Sequence, residues 1–449
     1  MGKIYSNTKF YINYERYVSI FFSILYLILF MDTYKNYISV EWNYTGLTYS
    51  NLSGWQYLYI YSCVFLVSYF SPTRLDRPSS PIIWLVTIMV FIPTLPITLM
   101  TGSRSASYYY SALSVFTLVL IVASYASSRT QSAEIKKLAP DKSLIFVMFF
   151  TFLFLASILY YQFSDILYFS SIEGTYDQRA LASEVSGSIL DYIKSYFPYV
   201  FAPFILAIGF IYRKYFIFIP IGIISYIFTY MTDASKISLI IPILMFIFFA
   251  TMRWFEGKIY YLTAGVSVLT LMSNYIFIYS SNLKIFADLI LLRSIAIPAQ
   301  TFAQYSDLFA ARGYTWWSNV RFINYFVAPP AGFAADPNWP ILGRIVGSEY
   351  YGAQSLMNAN ANLFSGEGVA AAGSFGVLLI GIAFTAWLIA LDRASRNWDM
   401  RLVVLLAVPL GMGLTNTHLS TLLLSFGGGF WLLVFYYYKP GITLRGNQR

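Results

Sequence analysis

Charge is what this chain has least of. Only 11% of its 449 residues are Asp, Glu, Lys or Arg, less than half the roughly 25% of soluble domains. A surface so poor in charge cannot face water everywhere, which excludes soluble globular and disordered classes. One cysteine, Cys63, excludes an intrachain disulfide framework, and one histidine, His418, excludes multi-histidine metal centres. There is no Walker-type phosphate loop, no Asp-x-Asp pair and no Gly-x-Ser-x-Gly elbow.

What is present is apolar: 58% of the chain is hydrophobic and 20% aromatic. Continuous apolar runs near the roughly 20 residues that cross a bilayer lie at about 17–36, 52–70, 81–100, 107–125, 143–162, 196–212, 215–231, 237–252, 259–280, 370–391, 402–415 and 418–438. They predict an all-α polytopic membrane protein of about twelve spans, forming one integral unit over residues 1–449. The last three spans occupy about 370–438. The first run lacks a small-residue cleavage site and is read as a retained helix.

With both termini on one side, that side holds 19 of the 29 basic residues but only 7 of the 20 acidic ones. The positive-inside rule makes it cytoplasmic. The net charge of +9 is thus a topology signal and calls for no nucleic-acid partner. Two long loops, about 163–195 and 281–369, fall outside. Loops beyond about fifteen residues are usually functional or disordered. The second is punctuated by Pro298, Pro329, Pro330, Pro337 and Pro340 and is rich in aromatics, so it is expected to be ordered and to carry the chemistry.

Lys284, Arg293, Arg312, Arg321 and Arg344 all lie in that outer loop, where the positive-inside rule disfavours them. As a group they point to an anionic substrate, since the guanidinium fork suits bidentate phosphate binding. Arg104 and Lys236 stand at the outer starts of the fourth and eighth spans within small, hydroxyl-rich stretches. A cation there opposes the helix dipole unless an anion docks beside it; snorkelling to headgroups is the alternative. Arg179, in the first outer loop, is a further candidate. Trp316, Trp317, Phe322, Tyr325 and Phe326 read either as faces for sugar rings or as packing of the loop onto the membrane domain. Glu367, between Gly366 and Gly368 at the mouth of the tenth span, reads either as an acid–base group or as the cap of that span. His418, beside Asn416 and Thr417, is either structural or a substrate contact. No residue cluster offers the oxygen cage of a divalent ion, so no metal and no cofactor are expected.

These features together resemble the O-antigen polymerase and ligase superfamily of bacterial inner membranes, with its many spans and one large outer loop near the C-terminus. The stretch from Leu292 to Ala299 looks like the arginine-bearing segment of Wzy-type oligosaccharide repeat-unit polymerases. So do Asn358 to Gly376, with its run of asparagines, and Asn416 to Ser425. The resemblance covers most of the chain by architecture and about fifty residues by local pattern. It implies a helical glycosyltransferase of C-type architecture working on undecaprenyl-diphosphate-linked oligosaccharides at the periplasmic face. A Wzz-type chain-length regulator is the implied partner. Arg293, Arg344 and Glu367 would be catalytic; Arg104, Arg179, Lys236, Arg312, Arg321, Asn358, Asn360 and His418 would bind substrate. Ligases of the superfamily are expected to carry a functional histidine in the large loop; none is present here, which favours polymerase. An O-antigen ligase, a polysaccharide-lipid flippase and an assembly subunit are the rival readings.

Overall fold

The computed structural model describes residues 2–129, 138–170, 175–185, 187–280, 283–353, 355 and 357–438. Among them the regular backbone is helical, with two isolated bridges, Arg74 to Lys258 and Leu138 to Trp398, in place of strands. A chain with too few charges to hold water on its surface satisfies its backbone polar groups within each segment, and the helix does this. In chain order the helices are α1 (Tyr14–Glu41), α2 (Gly54–Phe70), α3 (Ser79–Thr101), α4 (Ala106–Arg129), α5 (Lys142–Ile166), α6 (Thr175–Val185), α7 (Ile189–Ile211) and α8 (Phe218–Asp233). They continue with α9 (Lys236–Trp254), α10 (Tyr260–Met272), α11 (Lys284–Arg312), α12 (Leu342–Tyr351), α13 (Phe364–Ala394), α14 (Met400–Leu414), α15 (Leu419–Leu424) and α16 (Gly428–Tyr437).

Eight of these, α1, α3, α4, α5, α7, α9, α11 and α13, are long and apolar enough to cross a membrane, and α8, α14 and α16 are shorter apolar helices. The protein is a helical polytopic membrane protein. Of the basic residues counted for topology, Lys136, Lys137, Lys439, Arg445 and Arg449 lie outside the described residues. The centre of the bundle is α3 against α14. The apolar window of α3 is 94% buried, and residues 402–414 of α14 are buried throughout. Helices α4 and α13 pack on one flank, α1 and α10 pair beside it, and α7, α8 and α9 close the other.

The contacts sort into two ends. At one, which we call the basic end, the Arg74 guanidinium grips Glu15 (2.7 and 3.1 Å) and buried Asp392 accepts from Ser79 and Ser127. There too the Leu75 amide meets the Gly257 carbonyl at 2.8 Å. At the other, the loop end, the connections after α1, α3, α5, α8, α10 and α14 gather.

Helix α11 is where the structure departs most from the spans read in the sequence. It was placed inside the outer loop, yet its length and apolarity match a crossing helix. Its polar contacts nonetheless lie at the loop end, while its apolar residues also reach the middle of α3 and α4, where Phe302 stacks on Phe116 with ring centres 6.1 Å apart. Asp288 accepts from Tyr37 (2.6 Å) and Trp42 (3.3 Å), Gln300 donates to the Thr45 carbonyl (3.1 Å), and Asp307 accepts from Ser103 (2.8 and 2.9 Å). Tyr37 is near the end of α1, and Trp42, Thr45 and Ser103 sit in the connections after α1 and α3, so both ends of α11 are held at the loop end.

Candidate functional site

The local backbone explains why the candidate residues stand where they do. Pro298 has no N–H to donate, and the turn before it relaxes into a π-helical segment, Asp288–Ala296. Arg293 rides on that segment, with Asp288 pinned at its start by Tyr37 and Trp42. A second π-helical segment, Phe364–Val369, opens α13 and carries Glu367. Six such π-segments occur among the described residues, and these two are the ones that carry Arg293 and Glu367. The two segments are tied through Asn362, which donates to the Pro298 carbonyl (3.3 Å) and accepts from the Phe364 and Ser365 amides (both 3.0 Å).

Three of the predicted cations come together. Lys236, the first residue of α9, lies within electrostatic range of both Arg293 and Arg179. Arg179 reaches over from α6 and donates to the Ala234 carbonyl at 3.2 Å, while its neighbour Gln178 donates to the Tyr168 carbonyl at 3.0 Å. Ala234 terminates α8 in the left-handed region, at φ 51°. Asp233 accepts from the Ser235 amide at 3.0 Å and lies in range of Arg179 and Lys194. The first outer loop, the α8–α9 turn and α11 thus each contribute one cation to a single patch. Asp233 offsets part of this charge beside Arg179, and an anion docking among the cations would add to that compensation.

The other cations are placed differently. Arg104 pairs with Asp307 at 3.8 Å and stacks over Tyr108, 4.8 Å from the ring centre. Asp307 is the hub of that contact, taking the Ser103 amide and hydroxyl and the Tyr109 hydroxyl as well. Arg312 is engaged by Asp336 (3.2 Å), Glu349 (3.3 Å) and the Gly332 carbonyl (2.9 Å) and lies over Phe333. It braces the large loop from within. Arg321 and Arg344 are exposed and make no ion pair among the described residues.

Asn358 and Asn360 are exposed on the strand of chain that runs past α12. Gly343 and Gly347, four residues apart on α12, permit that passage. A Cβ at Gly343 would come within 2.0 Å of the Asn358 side chain, and one at Gly347 within 2.0 Å of the Met357 carbonyl.

Glu367 is buried and caps a helix, though not the one it begins. Its carboxylate accepts from the backbone amides of Leu419 (2.7 Å) and Ser420 (3.2 Å), closing the N-terminus of α15. The reading that it caps its own span is therefore corrected. His418 stands at the N-cap of α15, its imidazole against Gly366, where any Cβ would collide with it. The two backbone N–H groups that its carboxylate accepts make Glu367 a positioning group for the His418 turn.

Helix α13 breaks at Ala372 (φ −160°) and Gly373 (φ 60°). The freed carbonyls of Ala370 and Ala371 accept from the Thr315 and Trp316 amides at 2.9 and 3.0 Å, so the large loop is stitched into the break. Trp316 and Trp317 both hold positive φ, 46° and 60°, a strained arrangement that clusters at functional sites. Phe322, Tyr325 and Phe326 are 69%, 80% and 90% exposed, so these three do not pack the loop onto the helices.

Asp288, Asp307 and Asn362 are the residues that sequence reasoning missed. Asn362 had a visible signal, an Asx residue immediately before a helical run; the two aspartates had none, because their partners lie far away in the chain. Among the described residues no three His, Cys, Asp or Glu side chains gather as a metal site requires. Compared with known protein families, curated proteins and solved structures, the chain matches none.

Proposed function

We propose that this chain is a bacterial inner-membrane glycosyltransferase that polymerises undecaprenyl-diphosphate-linked oligosaccharide repeat units at the periplasmic face. The observation that carries the reading is the meeting of Arg179, Lys236 and Arg293 at the loop end of the bundle. In this reading the chain makes twelve passes, with α11 outside the count and α15 with α16 forming the last pass. Both termini then share the basic end, which the positive-inside rule makes cytoplasmic.

In the proposed reaction the acceptor hydroxyl oxygen bonds to the anomeric carbon of the growing chain. The bond from that carbon to the lipid diphosphate breaks, its electron pair leaves on the diphosphate oxygen, and the hydroxyl proton passes to a base. Departure needs positive charge more than protonation, and cations preorganised at a membrane surface supply it. Arg321, Arg344, Asn358 and Asn360, all exposed, are placed to meet the incoming saccharide, with Phe322, Tyr325 and Phe326 as faces for sugar rings. Glu367 acts through the His418 turn that it holds. A Wzz-type regulator would set chain length.

The test is purified protein with its lipid-linked repeat unit, read as a ladder of lipid-linked polymer. A ladder that persists in EDTA supports the reading; the absence of any ladder overturns it. The break at Ala372–Gly373 is the one observation that favours a flippase, because transporters bind at broken helices. Movement of labelled lipid-linked sugar across reconstituted vesicles without polymer would establish that alternative. An O-antigen ligase shares the donor and differs in transferring polymer to lipid A core.

A further inference from the structure

The basic end holds a cavity of about 610 Å³ that the proposed reaction does not use. It is lined by Arg16 of α1, by Tyr69, Phe70 and the chain leaving α2 (71–74, Asp76 and Arg77), and by Tyr125 and Ser128 of α4. Its charged groups are nearly all accounted for. Arg74 is held by Glu15 through two bonds, Arg77 by Asp76 through two bonds and by the Ser127 carbonyl, and nearby Lys258 pairs with Glu256 at 2.8 Å.

Arg16 is the exception. It makes no ion pair among the described residues, its Nε is buried without a hydrogen-bond partner, and its guanidinium lies 5.2 Å from the Tyr69 ring centre. A buried donor with no acceptor is destabilising, more so on a charged group. Arg16 lines the cavity, so an anion entering there meets a guanidinium that has no acid partner among the described residues.

We propose that this cavity binds the phosphate headgroup of an anionic phospholipid, with Arg16 as the principal contact and Arg74 and Arg77 adding field. Several features of the cavity select a lipid over a soluble anion. Its walls are helix ends, where headgroups lie. Tyr69, Phe70 and Tyr125 give it the aromatic rim typical of the membrane–water interface, and basic pockets between spans recognise such headgroups. The size suits a glycerophosphate head, since ligand pockets run roughly 300–1,000 Å³. The proposal is independent of the polymerase reading.

The test is native mass spectrometry of the full chain in detergent, titrated with phosphatidylglycerol or phosphatidylcholine. Phosphatidylglycerol should be retained preferentially. Arg16→Gln should weaken it about tenfold or more, Arg16→Lys less, and excess inorganic phosphate should not displace it. Equal retention of the two lipids, unchanged affinity in Arg16→Gln, or displacement by phosphate would each overturn the proposal. Should Arg16→Gln fail to fold, a photoactivatable phosphatidylglycerol on the wild-type chain decides. Adducts on peptides containing Tyr69 or Tyr125 support the site, and adducts only elsewhere refute it.

Discussion

The Glu367 carboxylate accepts the Leu419 amide at 2.7 Å across 52 residues of sequence. A buried carboxyl group on the π-turn that opens α13 thereby closes the N-terminus of α15 and holds the turn between α14 and α15. Two backbone donors and one carboxylate are matched there, and removing the carboxylate orphans both donors.

Glu367→Ala should therefore destabilise the protein by about 2–3 kcal/mol, since buried unsatisfied donors cost about 1–3 kcal/mol each. Turnover should fall further than the loss of folded protein, because the His418 turn that Glu367 holds loses its anchor. Thermal unfolding in detergent, run beside the polymerisation assay, checks this. A Glu367→Gln protein with wild-type melting and abolished turnover would instead show that the carboxylate is the base.

Asp307 and Arg104 should behave unequally although they form one pair. Asp307→Ala strands the Ser103 amide and the Tyr109 hydroxyl as well as the arginine, and should cost about 2–4 kcal/mol. Arg104→Ala removes a contact from a side chain that is 36% exposed and should cost about 1 kcal/mol or less. Equal losses in thermal unfolding would contradict the hub assignment.

The cation patch should govern turnover more than stability. Arg293→Ala and Lys236→Ala should each lower the polymerisation rate by roughly 10²–10³, the usual loss for one electrostatic contact to a developing charge. Arg293→Lys should recover part of it, because it keeps the charge and loses the fork. The double variant should lose less than the product of the two, as coupled neighbours do. Arg344→Ala, on the exposed face of α12, should raise KM more than it lowers kcat. Full-length polymer from Arg293→Ala at normal protein levels would remove that residue from the site.

Topology can be tested without activity. In a Cys63→Ser background, Ala335→Cys should react with a membrane-impermeant thiol reagent from the periplasmic side only. Labelling from the cytoplasmic side alone would invert the orientation and move the cation patch away from a periplasmic substrate.

Some of this was legible in the sequence because its physical cause is local. A bilayer demands about 20 apolar residues in a row, so α1, α3, α4, α5, α7, α9 and α13 stood out as runs; charge scarcity alone set the class. Even here local reading had a limit, since α11 has the composition of a span and yet holds its polar contacts at one end of the bundle. Apolarity reports that a helix is buried, and the neighbour that buries it is a tertiary matter. The same holds for the charges. Arg104, Arg179, Lys236, Arg293, Arg312 and Glu367 were all singled out, yet their partners were beyond reach. Arg312 is taken up by Asp336 and Glu349, Arg104 by Asp307, and Glu367 by amides 52 and 53 residues away. Only the packing of the first outer loop, the α8–α9 turn and α11 brings Arg179, Lys236 and Arg293 together, because electrostatic range is a distance in space and the chain separations between them carry no trace of it.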